Sequence, residues 1–280
     1  MTADPRNESE YGKPQSEAAR RVLIDVGQVL ASFSDCLVVV GGWTPDLLFQ
    51  DAKDTESAHI GSMDVDLTLD AARLQDGRYA EMLQLLLDTK RYRLGEKSFQ
   101  LVVEVDLGDG ERPVQVDLEF LAPKNVTLGK NHPKLLEGFR VLQVEAMNEA
   151  FRSPVNVRLD GRNVRGAHNT VTLQVASLPD FLVMKAHAIG LRDKPKDVYD
   201  LCFCLDRLAG DMEPLVRDWR GRMQEKNVAE AVRILREKFM GVEAFGPQQL
   251  VEFHVAPDAD TGAMHARRAY ELVQKLLGML

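Results

Sequence analysis

The chain has few cysteines, and their number does not indicate covalent cross-links. Three occur among its 280 residues, at Cys36, Cys202 and Cys204, and a small odd number does not make a disulfide framework. Cys202 and Cys204 lie in an apolar helical stretch, which favours small buried hydrophobic side chains over ligands or nucleophiles. This cysteine content is typical of proteins in the reducing cytoplasm.

Long apolar runs are missing as well. No segment approaches the roughly 18 consecutive apolar residues of a transmembrane helix, so we expect no membrane partner. The first 15 residues are polar and contain Pro5, Gly12 and Pro14. We interpret residues 1–15 as a disordered lead-in rather than as a targeting segment.

The chain also lacks an excess of positive charge. Its 35 basic and 43 acidic residues leave a formal net charge of −8, which argues against a surface coated for non-specific nucleic-acid binding but permits a local basic patch. Two segments are candidates to hold an RNA backbone, with solvated charges balanced by nearby acids as the alternative. They contain Arg152, Arg158, Arg162 and Arg165, and Arg217, Arg220 and Arg222 beside Trp219.

The hydrophobic pattern changes near residue 175. Helical and two-residue periods alternate before that point, and the period is helical after it almost to the end. We therefore predict an α+β fold: a mixed sheet with flanking helices over residues 16–175, then an all-helical region over residues 176–280. Ser16 is the predicted N-cap of the first helix. Helices are predicted at 16–33 and 79–88, and strands at 36–40, 63–69, 99–105, 113–120, 141–144, 155–159 and 171–174.

Two carboxylates form the main chemical signal. Asp64 and Asp66 are separated by one residue in the predicted strand 63–69, so both project from the same face. Paired carboxylate oxygens are the ligands that Mg²⁺ requires. Two such ions could polarise a phosphate and activate a hydroxyl. A solvated strand face is the alternative interpretation of this pair.

A further acidic pair follows in the strand over residues 113–120. Asp117 and Glu119 lie on its polar face, and a third carboxylate on a neighbouring strand would complete a two-metal site. We prefer Asp117 because it lies in the middle of the strand. An exposed strand face remains the alternative.

A glycine pair and a serine add candidate phosphate contacts. Gly41-Gly42 ends an apolar strand just before a short helix, where backbone N–H groups can approach a phosphate closely. Ser62 could add a hydroxyl contact. The plainer interpretations are a tight turn and a turn residue before a strand.

A lysine and two acids lie in the helical half. Lys185 falls within an apolar helical stripe, so it needs an anionic partner or a path to solvent. Asp197 and Asp200 lie on one face of the next helix, where they could orient Lys185 or a substrate. Favourable interaction with the helix dipole is the alternative reason for acids at a helix start.

In this order, the motifs resemble the AbiEii family of nucleotidyltransferases. The resemblance covers residues 36–208 and rests on Gly41-Gly42, on Ser62-Met63-Asp64-Val65-Asp66-Leu67, on Lys185 and on Lys196-Asp197-Val198-Tyr199-Asp200-Leu201. The family includes toxins of abortive-infection and type IV toxin–antitoxin systems, has the MenT toxins as relatives, and belongs to the polymerase-β-like superfamily.

The resemblance implies a role for each motif. Gly41 and Gly42 would cradle a nucleoside triphosphate, Asp64 and Asp66 would bind Mg²⁺, and Lys185 would contact the nucleotide. Asp197 or Asp200 would fill the last acidic position. The resemblance further implies a nucleoside triphosphate substrate, the 3′ end of tRNA as an acceptor, and a cognate antitoxin as a partner.

Three other functions fit parts of the pattern. A nucleotidyltransferase could use a small-molecule acceptor such as an antibiotic. A catalytically idle nucleotide-binding module would keep the fold without turnover, although the complete acidic set argues against it. A glycosyltransferase also uses Asp-x-Asp, but Gly41-Gly42 and Lys185 fit that activity poorly.

Overall fold

The computed structural model describes residues 5–50, 58–74, 78–108, 110–124 and 139–280. They form two compact units: residues 12–177, which hold the sheet, and residues 178–280 together with residues 5–11, which are largely helical. The first unit therefore ends two residues beyond the position where the hydrophobic pattern changes. The predicted α+β architecture of a mixed sheet followed by a helical region is confirmed.

Eight described strands form one mixed sheet in the first unit. Their order is β3-β4-β5-β2-β1-β8-β7, and β6 pairs with the far end of β5. The strands are β1 (Leu37–Val40), β2 (Val65–Leu69), β3 (Arg93–Leu94), β4 (Gln100–Val105), β5 (Val114–Pro123), β6 (Leu142–Val144), β7 (Val155–Arg162) and β8 (His168–Val175).

The second strand lies at the centre of the sheet. β2 is antiparallel to β1, with Asp66 opposite Val40, and parallel to β5, with Asp66 beside Glu119. The consecutive strands β4 and β5 form an antiparallel pair. The pairing places the acidic segments of β2 and β5 side by side, as the predicted site requires.

One face of the sheet is buried under helices. The first helix, α1 (Lys13–Val29), packs on β4, β5, β7 and β8, and α3 (Arg78–Asp88) contacts α1. Alternate residues of every long strand point into this core, since strand side chains alternate in direction. The same alternation leaves the acidic residues of β2 and β5 on the opposite face.

The start of the chain differs from the prediction of a disordered lead-in. Among the described residues of 1–15, a 3₁₀ turn spans Glu8–Glu10 and α1 begins at Lys13. Arg6 forms ion pairs with Glu252 and Asp193, and these contacts order the polar segment. Composition alone could not reveal partners so distant in sequence.

Ser16 is not the N-cap of the first helix. Gly12 occupies that position, and the Ser16 hydroxyl donates instead to the backbone carbonyl of Ile60 at 3.0 Å. The helix also ends earlier than predicted, at Val29, and a 3₁₀ segment over Ala31–Cys36 leads into β1. The short helix α2 (Trp43–Leu48) follows β1, and Gly42 is its N-cap.

The helical unit contains six described α-helices. They are α4 (Leu178–Leu191), α5 (Pro195–Arg207), α6 (Glu213–Gly221), α7 (Lys226–Lys238), α8 (Phe245–His254) and α9 (Ala259–Met279). Cys202 and Cys204 are buried free thiols in α5, as predicted. No helix in the described part of the chain is long and apolar enough to cross a membrane.

Candidate active site

The turn after β1 brings a glycine against the second carboxylate. Gly41 has φ +68°, a conformation that costs glycine little and other residues more. A Cβ at this position would lie 2.0 Å from Oδ2 of Asp66. The Asp66 side chain therefore occupies the space that the missing Cβ leaves. Gly42 follows in helical conformation as the N-cap of α2.

Asp64 lies just before β2 and is oriented by two neighbours. The Ser62 hydroxyl donates to its Oδ1 at 2.5 Å, and the Trp43 indole N–H donates to its backbone carbonyl at 2.8 Å. Ser62 and Trp43 are both buried. Ser62, predicted to contact a phosphate, thus holds a carboxylate in this structure.

The segment before Asp64 is also ordered by specific contacts. The Gly61 backbone N–H donates to Nδ1 of the buried His59 at 3.0 Å, and Gly61 has φ +79°. Because Ser16 binds the carbonyl of Ile60, the turn is tied to α1. These contacts set the direction in which the chain enters β2.

Asp117 is half-buried beside this carboxylate. Burial raises its pKa above the ordinary value, and the negative charge of Asp64 raises it further. A hydrogen bond from Gln115, 3.4 Å long, and the charge of Lys97 act in the opposite direction. Asp64 and Asp117 are therefore close enough for their charges to repel each other.

Glu119 is the neighbouring acid on the same face, and it is already neutralised. Lys97 Nζ lies 2.9 Å from its Oε1, and Gln100 lies opposite it on β4 and contacts the same oxygen at 3.4 Å. Because Glu119 is bound by Lys97 and Gln100, its contacts agree with the preference for Asp117 as the third predicted metal ligand.

The three predicted metal ligands lie on one face of the sheet without forming a closed cluster. In the described ranges no group of three His, Cys, Asp or Glu side chains is arranged to hold a metal ion. The donor chemistry nevertheless fits Mg²⁺, which takes carboxylate oxygens. A cation beside Asp64 and Asp117 would relieve the repulsion that contributes to the raised pKa of Asp117.

The second set of predicted residues forms a buried ionic network in the helical unit. Lys185 Nζ lies 2.7 Å from Asp197 Oδ1 and 2.7 Å from Asp200 Oδ2. Lys196 binds the other oxygen of Asp200 at 2.7 Å, and Arg192 binds Asp197 at 2.7 Å. The anionic partner that the sequence demands for Lys185 is therefore supplied by α5.

Burial and charge compete within this network. Burial disfavours the charged form of Lys185, but Asp197 and Asp200 outweigh it and raise the lysine pKa. Burial acts against ionisation of Asp197 too, yet Lys185 and Arg192 hold its pKa at about 2. Burial lowers the pKa of Lys196, because Asp200 offsets it incompletely. Lys185 and Asp197 thus remain charged near neutral pH.

The described fold and acidic face agree with a match to a known family. Residues 61–267 match the family described as nucleotidyl transferase AbiEii toxin, type IV toxin–antitoxin system. That span covers about three quarters of the 280 residues.

The chain belongs to the AbiEii family.

Asp64, Asp66, Asp117, Lys185, Asp197 and Asp200 all lie within the AbiEii match, whereas Gly41 and Gly42 precede it. A search of curated proteins finds no match to the chain. The family match establishes a nucleotidyltransferase toxin domain of the type IV toxin–antitoxin class.

Two residues of the second basic segment, Trp219 and Arg222, are not available to RNA. Trp219 is completely buried and its indole N–H donates to the Pro179 carbonyl at 3.1 Å, so it cannot stack on a base. Arg222 is buried and paired with Asp180 at 2.9 Å. The interpretation of residues 217–222 as an RNA-binding segment was therefore wrong at these two positions.

Sequence reasoning missed two residues of this AbiEii site. Trp43 orients the chain at Asp64 from 21 residues away, and nothing in the local pattern marks an indole that binds a distant carbonyl. Lys97 neutralises Glu119 across the sheet. Only the register of β4 against β5 shows this, since Lys97 lies in the turn before β4.

Proposed function

We propose that this AbiEii protein is a Mg²⁺-dependent nucleotidyltransferase that acts on RNA. A hydroxyl of the acceptor attacks the α-phosphate of a nucleoside triphosphate, a new phosphodiester bond forms, and pyrophosphate leaves. The observation that supports it most is that Asp66 of β2 and Asp117 of β5 lie on the polar face of neighbouring strands, where burial and the nearby charge of Asp64 raise the pKa of Asp117. The family match supports the same reaction class.

Asp64, Asp66 and Asp117 would hold the metal. When bound, two Mg²⁺ ions would supply charge stabilisation to the reacting phosphate. Ser62 and Trp43 hold the first carboxylate in place, so its orientation precedes ligand binding. The raised pKa of Asp117 suits it to accept the proton of the attacking hydroxyl.

Gly41 and Gly42 would receive the triphosphate. The two glycines carry no side chains of their own, and the Asp66 carboxylate lies against Gly41. A phosphate approaching backbone N–H groups here would therefore be held next to the carboxylate. Ser62 would act at this site through its hydrogen bond to the Asp64 carboxylate.

Lys185, Asp197 and Asp200 would act at the nucleotide site indirectly. All three are buried in mutual ion pairs within the helical unit, which favours a positioning role over direct contact with a phosphate. Their pairing holds α4 against α5. Nucleotide transfer would then require that α4 and α5 are packed correctly, and it would not require a free ammonium group on Lys185.

The 3′ end of tRNA is the proposed acceptor and a cognate antitoxin is the proposed partner. The antitoxin is supported by the family description, which names a type IV toxin–antitoxin system. The tRNA acceptor is supported only by the resemblance of the motifs to AbiEii toxins. A small-molecule acceptor such as an antibiotic would use the same carboxylates, and a catalytically idle module would bind a nucleotide without turnover. The experiment below separates these outcomes.

The test measures incorporation of each α-labelled nucleoside triphosphate into total RNA with Mg²⁺, comparing the wild type with Asp64→Ala. We expect label in RNA from the wild type alone, and the labelled triphosphate identifies the nucleotide. Equal labelling by Asp64→Ala would refute the assigned carboxylate. No labelling, with triphosphate binding still detected by calorimetry, would exclude RNA as the acceptor and lead to small molecules or to an idle module.

A further inference from the structure

The outer face of the β7–β8 hairpin carries unpaired arginines. Arg158 and Arg162 are exposed on β7, and Arg165 is exposed in the turn that follows. None of the three guanidinium groups forms an ion pair with a described residue. We infer that this surface, defined by Arg158, Arg162 and Arg165, binds the sugar-phosphate backbone of an RNA stem. The inference rests on the proposed function and adds where the RNA lies.

The hairpin face is the same face of the sheet as the carboxylates. Asp66 lies opposite Val40, and the adjacent Val39 lies beside Val175 of β8. Since side chains alternate along a strand, Val175 points to the α1 side with Val39. Thr172, three residues before Val175, therefore points to the Asp66 side.

Arg158 shares that direction because it pairs with Thr172 across the hairpin. Arg162, four residues further along β7, points the same way. Strand spacing and residue rise put Arg158 roughly 20 Å from Asp66, and Arg162 about 13 Å beyond Arg158 along the strand. An RNA lying along this face could thus reach both the arginines and the carboxylates.

The chemistry of the surface favours a nucleic-acid backbone over a protein. Paired residues on this face are all polar, and protein interfaces usually need an apolar centre. Guanidinium, hydroxyl and amide groups are the usual contacts of phosphates and sugars. The residues that share this face with Arg158 and Arg162 are Asn156, Asp160, His168, Thr170, Thr172 and Gln174.

The single acid on this face, Asp160, interacts more strongly with Thr170 and His168 of β8 than with Arg158. The Asp160 carboxylate accepts a hydrogen bond from the Thr170 hydroxyl at 2.6 Å and lies 3.3 Å from His168 Nε2, so it is turned toward β8. The backbone carbonyls of Arg158 and Asp160 accept hydrogen bonds from Gln50 and Arg20. These contacts cover part of the β7 edge and disfavour addition of a partner strand there.

The surface also fits a duplex better than a single strand. Proteins that hold single strands stack bases on aromatic side chains, and the paired residues of the hairpin face include no Phe, Tyr or Trp. The one imidazole on this face, His168, lies 3.3 Å from the Asp160 carboxylate. A-form RNA is instead recognised through phosphates and 2′-hydroxyls. We therefore expect a hairpin RNA to bind more tightly than a single strand of the same composition.

The experiment compares wild type with the double variant Arg158→Gln/Arg162→Gln in binding a hairpin RNA at several salt concentrations. Both side chains are exposed, so the melting temperature should not change. Loss of two phosphate contacts should weaken binding at least about tenfold and reduce the slope of log affinity against log salt by about 2. Arg217→Gln, an exposed arginine of α6, is the matched control and should bind like wild type.

Four outcomes would overturn the inference that this surface binds RNA. They are an unchanged affinity and salt slope in the double variant, an equal loss in Arg217→Gln, binding of polyglutamate in place of RNA, and equal binding of single-stranded RNA and the hairpin. Nucleotide transfer is measured separately. If the wild type binds the hairpin RNA through the arginines but transfers no nucleotide, the RNA-binding surface is supported and the proposed function is refuted. If the wild type transfers nucleotide but its RNA binding does not depend on the arginines, the proposed function is supported and the RNA-binding surface is refuted.

Discussion

The α-carbon of Gly41 lies against the carboxylate of Asp66. A Cβ added to Gly41 would be 2.0 Å from Asp66 Oδ2 and 3.1 Å from its Cβ, so no other residue fits without moving the carboxylate. The turn after β1 and the acidic strand β2 are therefore adjusted to each other. This relationship joins the proposed phosphate-binding turn to one of the proposed metal ligands.

The Gly41→Ala variant should lose nucleotide transfer by at least about 100-fold, because displacement of a reacting group by about 1 Å has effects of that size. It should also lose stability, since alanine in the left-handed region costs roughly 1–2 kcal/mol. Transfer kinetics and urea unfolding measure the two effects.

Gly108→Ala separates the effect of backbone strain from that of the collision with Asp66. Gly108 also has a positive φ, +79°, but a Cβ there would meet nothing within 4 Å. It should show the loss of stability without the loss of transfer. Equal transfer by Gly41→Ala and wild type would show that the position of Asp66 does not matter to the reaction.

The Asp117→Asn variant should lose transfer by at least about 100-fold while the metal-free protein becomes slightly more stable. The physical reason is that the substitution removes a half-buried charge that Asp64 repels. Melting temperature without divalent cation and transfer with Mg²⁺ are the measurements. Glu104→Gln, an exposed acid of β4, should change neither by much. A fall in the melting temperature of Asp117→Asn would contradict the repulsion.

The Lys185→Met variant should destabilise the protein by about 3–5 kcal/mol, since it leaves buried carboxylates without their shared partner. Denaturant unfolding checks this, with Lys226→Met as an exposed-lysine control. A lysine that served only to contact a nucleotide would leave the stability of the free protein unchanged. Wild-type stability in Lys185→Met would therefore refute the positioning role.

Low pH should reduce the free energy of unfolding, because it protonates Asp197. Its pKa in the folded state is about 2, below the ordinary value of about 3.9. The carboxylate therefore stabilises the fold fully above pH ~4, and this stabilisation, on the order of 2 kcal/mol, is lost as the pH falls through 2. Urea midpoints measured between pH 2 and 5 follow the loss.

Arg192 offers a mild variant for this test. Its guanidinium is about half exposed and binds Asp197, so Arg192→Gln should raise the Asp197 pKa and shift the acid-induced loss to higher pH. Arg236→Gln removes an exposed arginine of α7 and should not shift it. If both variants follow the wild-type curve, Arg192 does not help to keep Asp197 charged.

Most strands could be predicted from the sequence because a strand with one buried face has a two-residue apolar period. The predicted strand over residues 113–120 corresponds to β5, and Asp117 lies on its polar face as expected. Ends were harder. Ser16 looked like a helix cap, but its hydroxyl binds the Ile60 carbonyl, and a side chain's choice between local and distant partners depends on packing.

The sequence by itself determined the α+β architecture, the polar strand faces that carry Asp66 and Asp117, and the need of Lys185 for an anion, because these follow from local periodicity and from the cost of burying a charge. The tertiary structure alone decided which groups meet. Asp197 and Asp200 pair with Lys185, Lys97 pairs with Glu119, and Asp66 fills the space beside Gly41. Such contacts join residues far apart in the chain, and their strength depends on distance and burial, which only the packing of strands and helices sets.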